Sequence, residues 1–451
     1  MEKVDKVDMR DIADCVDVKN IEDNVDIRDG ADCVDVSNRS DCVDVSDRSD
    51  FLDVAENTLD LRKIVSDFAD RVMDENDLPG VAMGVSLGEE SFCAARGLRD
   101  YTRKGQPDCA PLQESDVFHC ASVSKLFTSS AIMKLVECGA LNLYDRLRDL
   151  IPELHIADKR FEEIRLWNML THTSGLGDVS DYHWENPLVS EDALGEYVLN
   201  DPECVSQTML WDPMTNPEFY DPSAREQILF RYSNVAYEML GYIVTLHSCK
   251  IPGCSGLSYE DFVAEYLLKP AGMTYSTMKT FAREGWASEP GSMTADNMAR
   301  PHCRREDRSI VLSDHYPYTR QHGPSSTLTS NIPDLLAWGR AHMASASGRQ
   351  ETLLHRETYD SIWRSYATVP NNGEKMGLGW FMRKQKVSGS DDIIREYTLY
   401  GHEGTDDGFR ASFWICPELD MVTVVLANLS GAPVKRINKR LFEAVARQLS
   451  Y

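Results

Sequence analysis

No stretch of this chain approaches the roughly 18 consecutive apolar residues that a membrane-crossing helix needs. The opening residues, MEKVDKVDMRDIADC, hold no apolar core of the kind a secretion signal carries. Positive charge is in short supply: 47 Lys and Arg stand against 73 Asp and Glu, a formal net charge of −26. Such a polyanion is repelled by phosphate backbones and by anionic bilayers, so neither nucleic acid nor a membrane is expected as a partner. The usual metal signatures are missing as well. Neither C-x-x-C nor H-E-x-x-H occurs, and the 12 cysteines scatter without ligand spacing, so no metal and no cofactor are expected. The cysteines read as reduced thiols, which fits an intracellular, cytoplasmic protein. Apolar material is ample: 42% hydrophobic and 9% aromatic residues in 451 can bury a large core.

The chain opens with a repeat. From Asp5 it reads DKVDMRDIA, DCVDVKNIE, DNVDIRDGA, DCVDVSNRS, DCVDVSDRS and DFLDVAENT, six units of nine residues ending at Thr58. Nine residues make about 2.5 helical turns, so successive Val pairs would fall on opposite faces of a helix. Residues 1–58 carry 18 acidic and 7 basic side chains, and the units lack the glycines of calcium-binding β-rolls. They read as a solvated, disordered acidic arm. The competing reading is a short solenoid or a ladder for a protein partner.

From Leu59 the chain reads as globular. LDLRKIVSDFADRVMDE has helical spacing, broken by Pro79-Gly80. VAMGVSL and SFCAARGL read as strands about a turn at Gly88-Glu89-Glu90. Residues 124–138 have the pattern of an amphipathic helix stopped by Gly139, and 140–280 read as mostly helical. GFRASFWI and MVTVVLAN form a strand pair near the end, and VKRINKRLFEAVARQL a closing helix. Strands at both ends and helices between them predict an α+β fold: a sheet from about 59–110 and 370–451, with a helical part at about 120–350.

Three sites carry chemistry. Ser122-Val123-Ser124-Lys125 opens the helix at 124, and residues three apart share a helix face, so the Lys125 amine can reach the Ser122 hydroxyl. The positive helix end favours a developing oxyanion and a neutral lysine. Tyr232-Ser233-Asn234 follows. A tyrosine beside an ammonium can have a lowered pKa and carry protons, and Asn234 can bond both Lys125 and a substrate carbonyl. In Gly401-His402-Glu403-Gly404-Thr405, glycine lets backbone approach a bound acyl group and the Thr405 N–H can face it.

These motifs, with PGVAMGVSL, FHCASVSKLFTSSAIMKLVECGALNLYDRL, LWNMLTHTSGL, FRYSNVAYEMLGYIV, YEDFVAEYLLKPAGM and GHEGTDDGFRASFWI in that order, resemble the serine β-lactamase and penicillin-binding-protein family. The resemblance runs from about Pro79 to Asn428. That family includes class C β-lactamases, D-aminopeptidases, carboxypeptidases, family VIII esterases and fungal acyltransferases. The resemblance implies an antiparallel sheet flanked by helices, with a mostly helical domain inserted. It also implies Ser122 as acylated nucleophile, Lys125 and Tyr232 as acid–base pair, and the Ser122 and Thr405 N–H groups as oxyanion hole. The third motif departs from it. His402-x-Gly404 stands where β-lactamases and transpeptidases carry a lysine, so a fixed cation for a substrate carboxylate is missing.

The reading is therefore a serine hydrolase or acyltransferase acting on an ester, thioester or amide of a small molecule through acyl-Ser122. Two alternatives stand beside it: a non-catalytic scaffold assembling through the acidic arm, and a true β-lactamase or D,D-peptidase. Other motifs read as structural. Ser86 in Gly84-x-Ser86-x-Gly88 lies on a strand followed by a strand, not at a nucleophile elbow. A second S-x-x-K, Ser276 to Lys279, starts no helix. His172 reads as a hydrogen-bonder within its loop, while Trp184, Trp211 and Trp380 are candidates for an acyl pocket.

Overall fold

The computed structural model describes residues 50–180, 182, 190–209, 230–251, 254, 256–279, 297–370, 372–389 and 393–449, with side chains from residue 61 onward. The chain divides into Met1–Leu52 and Asp53–Tyr451, and apart from the first three residues of the first helix the second unit carries everything below. Five of the six repeat units lie outside the described residues. The sixth belongs to helix α1 (Asp50–Asn76), so helix begins nine residues before the expected start at Leu59. Its DFLDVAENT carries Leu, Ala and Glu, better helix formers than the Val, Asp and Ser that dominate the other units.

Strands β1 (Gly80–Leu87) and β2 (Glu90–Gly97) follow, then β3 (Phe118–His119) and helix α2 (Ser124–Glu137). The central part holds α3 (Leu147–Leu150), α4 (Leu166–Leu170), α5 (Ala193–Asn200), α6 (Pro202–Val205), α7 (Asn234–His247) and α8 (Tyr259–Val263). Next come the hairpin β4 (His302–Arg304) and β5 (Ile310–Leu312), the short α9 (Gly323–Ser326), β6 (Thr329–Ser330), α10 (Ile332–Ala346) and α11 (Thr358–Ile362). The C-terminal part supplies β7 (Ala367–Thr368), β8 (Lys375–Met376), β9 (Phe381–Ser388), β10 (Ile394–Asp406), β11 (Phe409–Cys416), β12 (Met421–Ala427) and α12 (Val434–Ala446).

The main sheet has the order β2-β1-β12-β11-β10-β9-β8-β7 among the described residues. Its neighbours pair antiparallel, and β1 joins β12 with Val81 opposite Ala427 and Leu87 opposite Met421. Strands far apart in sequence thus lie side by side in one sheet. Side chains alternate across it. Val422, Val424 and Leu426 of β12 enter the core shared with α2, α7 and α10, whereas Met421, Val425 and Ala427 meet α1 and α12. All seven β12 residues are buried, because helices cover both faces.

Helix α2 departs from the expected amphipathic pattern. From Ser124 to Met133 every residue is buried, so no face meets water. Its polar side chains find carbonyls instead: Thr128 Oγ1 donates to Pro324 O (2.6 Å), Ser129 Oγ to Leu378 O (2.6 Å) and Ser130 Oγ to Leu126 O (2.8 Å). A helix with hydroxyls on its outer face can be enclosed when loops bring acceptors to it.

The Gly84-x-Ser86-x-Gly88 segment is strand and turn. Ser86 is buried near the end of β1 and Gly88 turns with φ +55°. A Cβ at Gly84 would lie 2.4 Å from Ile332 Cγ2 and 2.9 Å from Leu336 Cδ1, so the missing side chain seats α10 on the sheet. Gly84→Val should therefore cost about 1–3 kcal/mol through overpacking. Urea unfolding should show a lowered midpoint at unchanged slope; an unaltered midpoint would contradict this packing.

Candidate active site

Ser122 sits in the 3-10 turn Ala121–Val123 that runs into α2, where helical N–H groups lack intrahelical partners. The turn is strained and braced. Ala121 has φ +48°, a left-handed backbone that alanine disfavours. Ser124 Oγ donates to Ala121 O (2.7 Å) and accepts from Leu328 N (2.8 Å), and Cys120 N donates to Leu328 O (2.7 Å). Ser122 itself keeps partial exposure, as a residue that must meet a substrate requires.

Lys125, one turn along α2, is fully buried. Its Nζ donates to Ser122 Oγ (3.1 Å), Asn234 Oδ1 (2.5 Å) and Ser325 O (2.9 Å). Burial pulls its pKa down to about 8, against the opposing carboxylates of Glu238, Asp178 and Asp406. A neutral amine has two N–H groups, which Asn234 and Ser325 can hold, leaving the lone pair for Ser122. The arrangement suits a base that works near neutral pH.

Tyr232 donates its hydroxyl to Ser122 Oγ at 2.8 Å. Lys125 Nζ lies 4.9 Å from its ring centroid. The expected lowering of its pKa does not occur. Enclosure of the ring pushes it well above the usual tyrosine value, the Ser122 hydrogen bond opposing and the Asp178 charge adding to the rise. Tyr232 is thus placed as a neutral proton donor rather than an anionic base. His172 fixes its position: Nδ1 accepts from Ser233 N (3.2 Å), His172 O accepts from Arg231 N (2.7 Å), and the ring stacks on Tyr232 at 4.4 Å.

Asn234 starts α7 and binds Lys125, but its amide has no N–H left for a substrate carbonyl. Nδ2 donates to Asp178 Oδ1 (2.9 Å) and to Tyr182 Oη (2.7 Å). In β10, His402 is buried, its Nδ1 lies 2.5 Å from Glu403 O, and its ring is 6.2 Å from that of Tyr232. Burial first, then the Lys125 charge, lowers its pKa to about 3, so it stands in the wall as a neutral imidazole. Its Nε2 has no partner among the described residues. Gly404 serves the protein before any substrate. A Cβ there would come within 2.2 Å of Cys120 O, so only glycine lets β10 abut the Ser122 turn. Thr405 follows, exposed, opposite Arg410 of β11.

The structure therefore gathers Ser122, Lys125, Tyr232 and Asn234 into one network, with His402 and Gly404 against it. The second S-x-x-K is elsewhere engaged: Ser276 Oγ meets Ser330 Oγ (2.7 Å) and Asp334 Oδ2 (2.8 Å), and Lys279 pairs with Asp261 (2.6 Å). Trp380 is a core residue. It is buried among His342, Trp363 and Phe413 in the core. Trp184 and Trp211 lie outside the described residues. Sequence reasoning missed the Ser325 carbonyl, Asp178, and the buried His119–Asp406 pair (2.7 Å) that Ser326 also joins. No spacing rule links residue 325 to residue 125. For Asp178, position just after the Thr171–Gly177 loop was the one available signal. Among the described residues no group of His, Cys, Asp and Glu is placed to hold a metal ion, and no helix is long and apolar enough to cross a membrane.

Residues 65–448 match the family described as Beta-lactamase. Protein flp of Staphylococcus aureus (strain MW2) is 22% identical over 398 residues, spanning 87% of this chain and 68% of that protein. Among solved structures, the D-amino acid amidase from Ochrobactrum anthropi SV3 complexed with L-phenylalanine amide superposes with a TM-score of 0.63 at 19% identity, over 87% of this chain and all of that one. A class C beta-lactamase mutant superposes with a TM-score of 0.59 at 19% identity, over 85% and 97%. The fold is thus of the β-lactamase/transpeptidase type.

The lowered pKa of the Lys125 amine predicts a pH dependence for any proton transfer from Ser122 to it. Only the neutral form, populated above its pKa, can take the Ser122 proton. Labelling of Ser122 by a fluorophosphonate should rise with pH through about 8 and then level off. Intact mass read at several pH values checks this. A pH-independent rate, or Lys125→Ala labelling as fast as wild type, would move the base elsewhere.

Proposed function

The chain belongs to the beta-lactamase family, a family of serine hydrolases, and from that premise we propose that it cleaves or transfers an acyl group through an acyl-Ser122 intermediate. The substrate is a small-molecule ester, thioester or amide. One observation carries the reading: the Ser122 hydroxyl lies within hydrogen-bond reach of both Lys125 Nζ (3.1 Å) and Tyr232 Oη (2.8 Å).

In acylation, neutral Lys125 takes the Ser122 proton while Oγ attacks the acyl carbon. The Ser122 and Thr405 N–H groups receive the negative charge that develops on the carbonyl oxygen. When the bond to the leaving group breaks, Tyr232 gives that group its proton and recovers one from the Lys125 ammonium. In deacylation, water or an acceptor alcohol or amine loses its proton to the same pair as it attacks the ester. Ser122 then leaves with its hydroxyl restored.

The third motif supports neutral acyl donors. His402 offers an uncharged imidazole where a carboxylate-bearing β-lactam would need a cation, and Asp178 and Asp406 place negative charge around Lys125. A p-nitrophenyl ester should be turned over faster than a chromogenic cephalosporin. Ser122→Ala should abolish turnover and the acyl adduct seen by intact mass. Lys125→Ala should lose about a thousandfold or more, and Lys125→Arg should not rescue, because guanidinium stays protonated. Tyr232→Phe should be slowed, most strongly with poor leaving groups. Equal turnover by wild type and Ser122→Ala would reject this function. A cephalosporin consumed faster than the ester would reassign the substrate.

A further inference from the structure

Beneath the reacting groups lies a second buried pair that the steps above do not use. Glu238 of α7 has no exposed surface and His322, just before α9, has 1%. His322 Nδ1 lies 3.2 Å from Glu238 Oε1, and Gln321 Nε2 lies 3.1 Å from His322 Nε2. The Gln321 amide can only donate there, so His322 Nε2 accepts and Nδ1–H donates to the carboxylate. The other Glu238 oxygen, Oε2, is buried without a partner among the described residues.

The position of this pair gives it a purpose. Glu238 stands one helical turn beyond Asn234, whose Oδ1 holds the Lys125 amine. His322 stands three residues before Ser325, whose carbonyl holds the same amine. The Glu238–His322 hydrogen bond therefore ties together the two segments that deliver the Lys125 acceptors. The edge of the Tyr182 ring meets His322 at 5.1 Å, while its hydroxyl accepts from Asn234 (2.7 Å), closing the loop. Glu238 is also first among the carboxylates whose charge bears on Lys125. The other titratable groups facing the amine are Tyr232 and Tyr237 around α7, His172 and Asp178 from the loop after α4, and His402 and Asp406 from β10.

We propose that Glu238 and His322 are positioning residues for Lys125, holding its two acceptors in place and supplying the buried counter-charge of its amine. This rests on Lys125 acting as base in the proposed acyl transfer, and neither residue touches the substrate.

The test is the pH dependence of kcat/KM for a p-nitrophenyl ester. Removing the counter-charge lets Lys125 lose its proton more readily. Glu238→Gln should therefore move the acid limb down by about one pH unit. Glu238→Asp, which keeps the charge, should leave the limb near the wild-type position. His322→Ala should lower kcat more than it changes KM, and His322→Asn, which can still donate to Glu238, should restore part of the loss. A folded Glu238→Gln protein with an unmoved limb, or one moved upward, overturns the proposal. If Glu238→Gln does not fold, pH profiles and kcat of both His322 variants that match wild type overturn it. Fluorophosphonate labelling of Ser122 in the same variants separates the two claims. Labelling that persists beside an unmoved limb rejects only the role of this pair, whereas wild-type turnover without any dependence on Ser122 rejects the acyl-enzyme reading itself.

Discussion

The burial of one amine governs this structure. Lys125 sits without exposed surface in the fully buried part of its helix, and an amine in that setting is tolerable only if its hydrogens are bonded and its charge is easily shed. Both conditions are met. Asn234, Ser325 and Ser122 take its hydrogens, and desolvation brings its pKa to about 8. What would be a cost in an ordinary core here leaves the amine easily freed of its proton near neutral pH.

The architecture follows from the need to bring acceptors to that amine from distant parts of the chain. Asn234 comes from the first turn of α7, Ser325 from α9, and the opposite wall from β10. β10, an inner strand of the sheet, can reach the Ser122 turn because Gly404 lets its backbone pass against the Cys120 carbonyl. The left-handed Ala121 is latched through Ser124 and Leu328, and Ser122 beside it keeps partial exposure.

The electrostatic character of the site comes from the same enclosure. His402 is kept neutral, Tyr232 is kept protonated, and negative charge enters through Asp178, Asp406 and Glu238. The amine of Lys125 is thus surrounded by carboxylates and polarisable rings, with Tyr232 and Tyr237 at 4.9 and 5.3 Å. Enclosure lowers its proton affinity and the carboxylates restore part of it, so the balance between them sets the pH at which the amine is neutral.

Much of this was legible in the sequence. The spacing of Ser122 and Lys125 on one helix face, the Tyr232-Ser233-Asn234 and His402-x-Gly404 motifs, and the strands at both chain ends are local patterns of period three and two, and local patterns survive folding. Sequence alone misjudged what depends on enclosure. It read α2 as amphipathic, because hydroxyls look solvent-facing until loop carbonyls come to meet them. It gave Tyr232 a lowered pKa from its neighbour's charge, without the desolvation that outweighs it. It offered Asn234 to a substrate, when Asp178 and Tyr182 already hold its amide, and it could not see Glu238 and His322 as a pair, 84 residues apart. Motif and element order are properties of the chain, whereas proton affinities and hydrogen-bond partners belong to the dielectric and the contacts that tertiary packing alone creates.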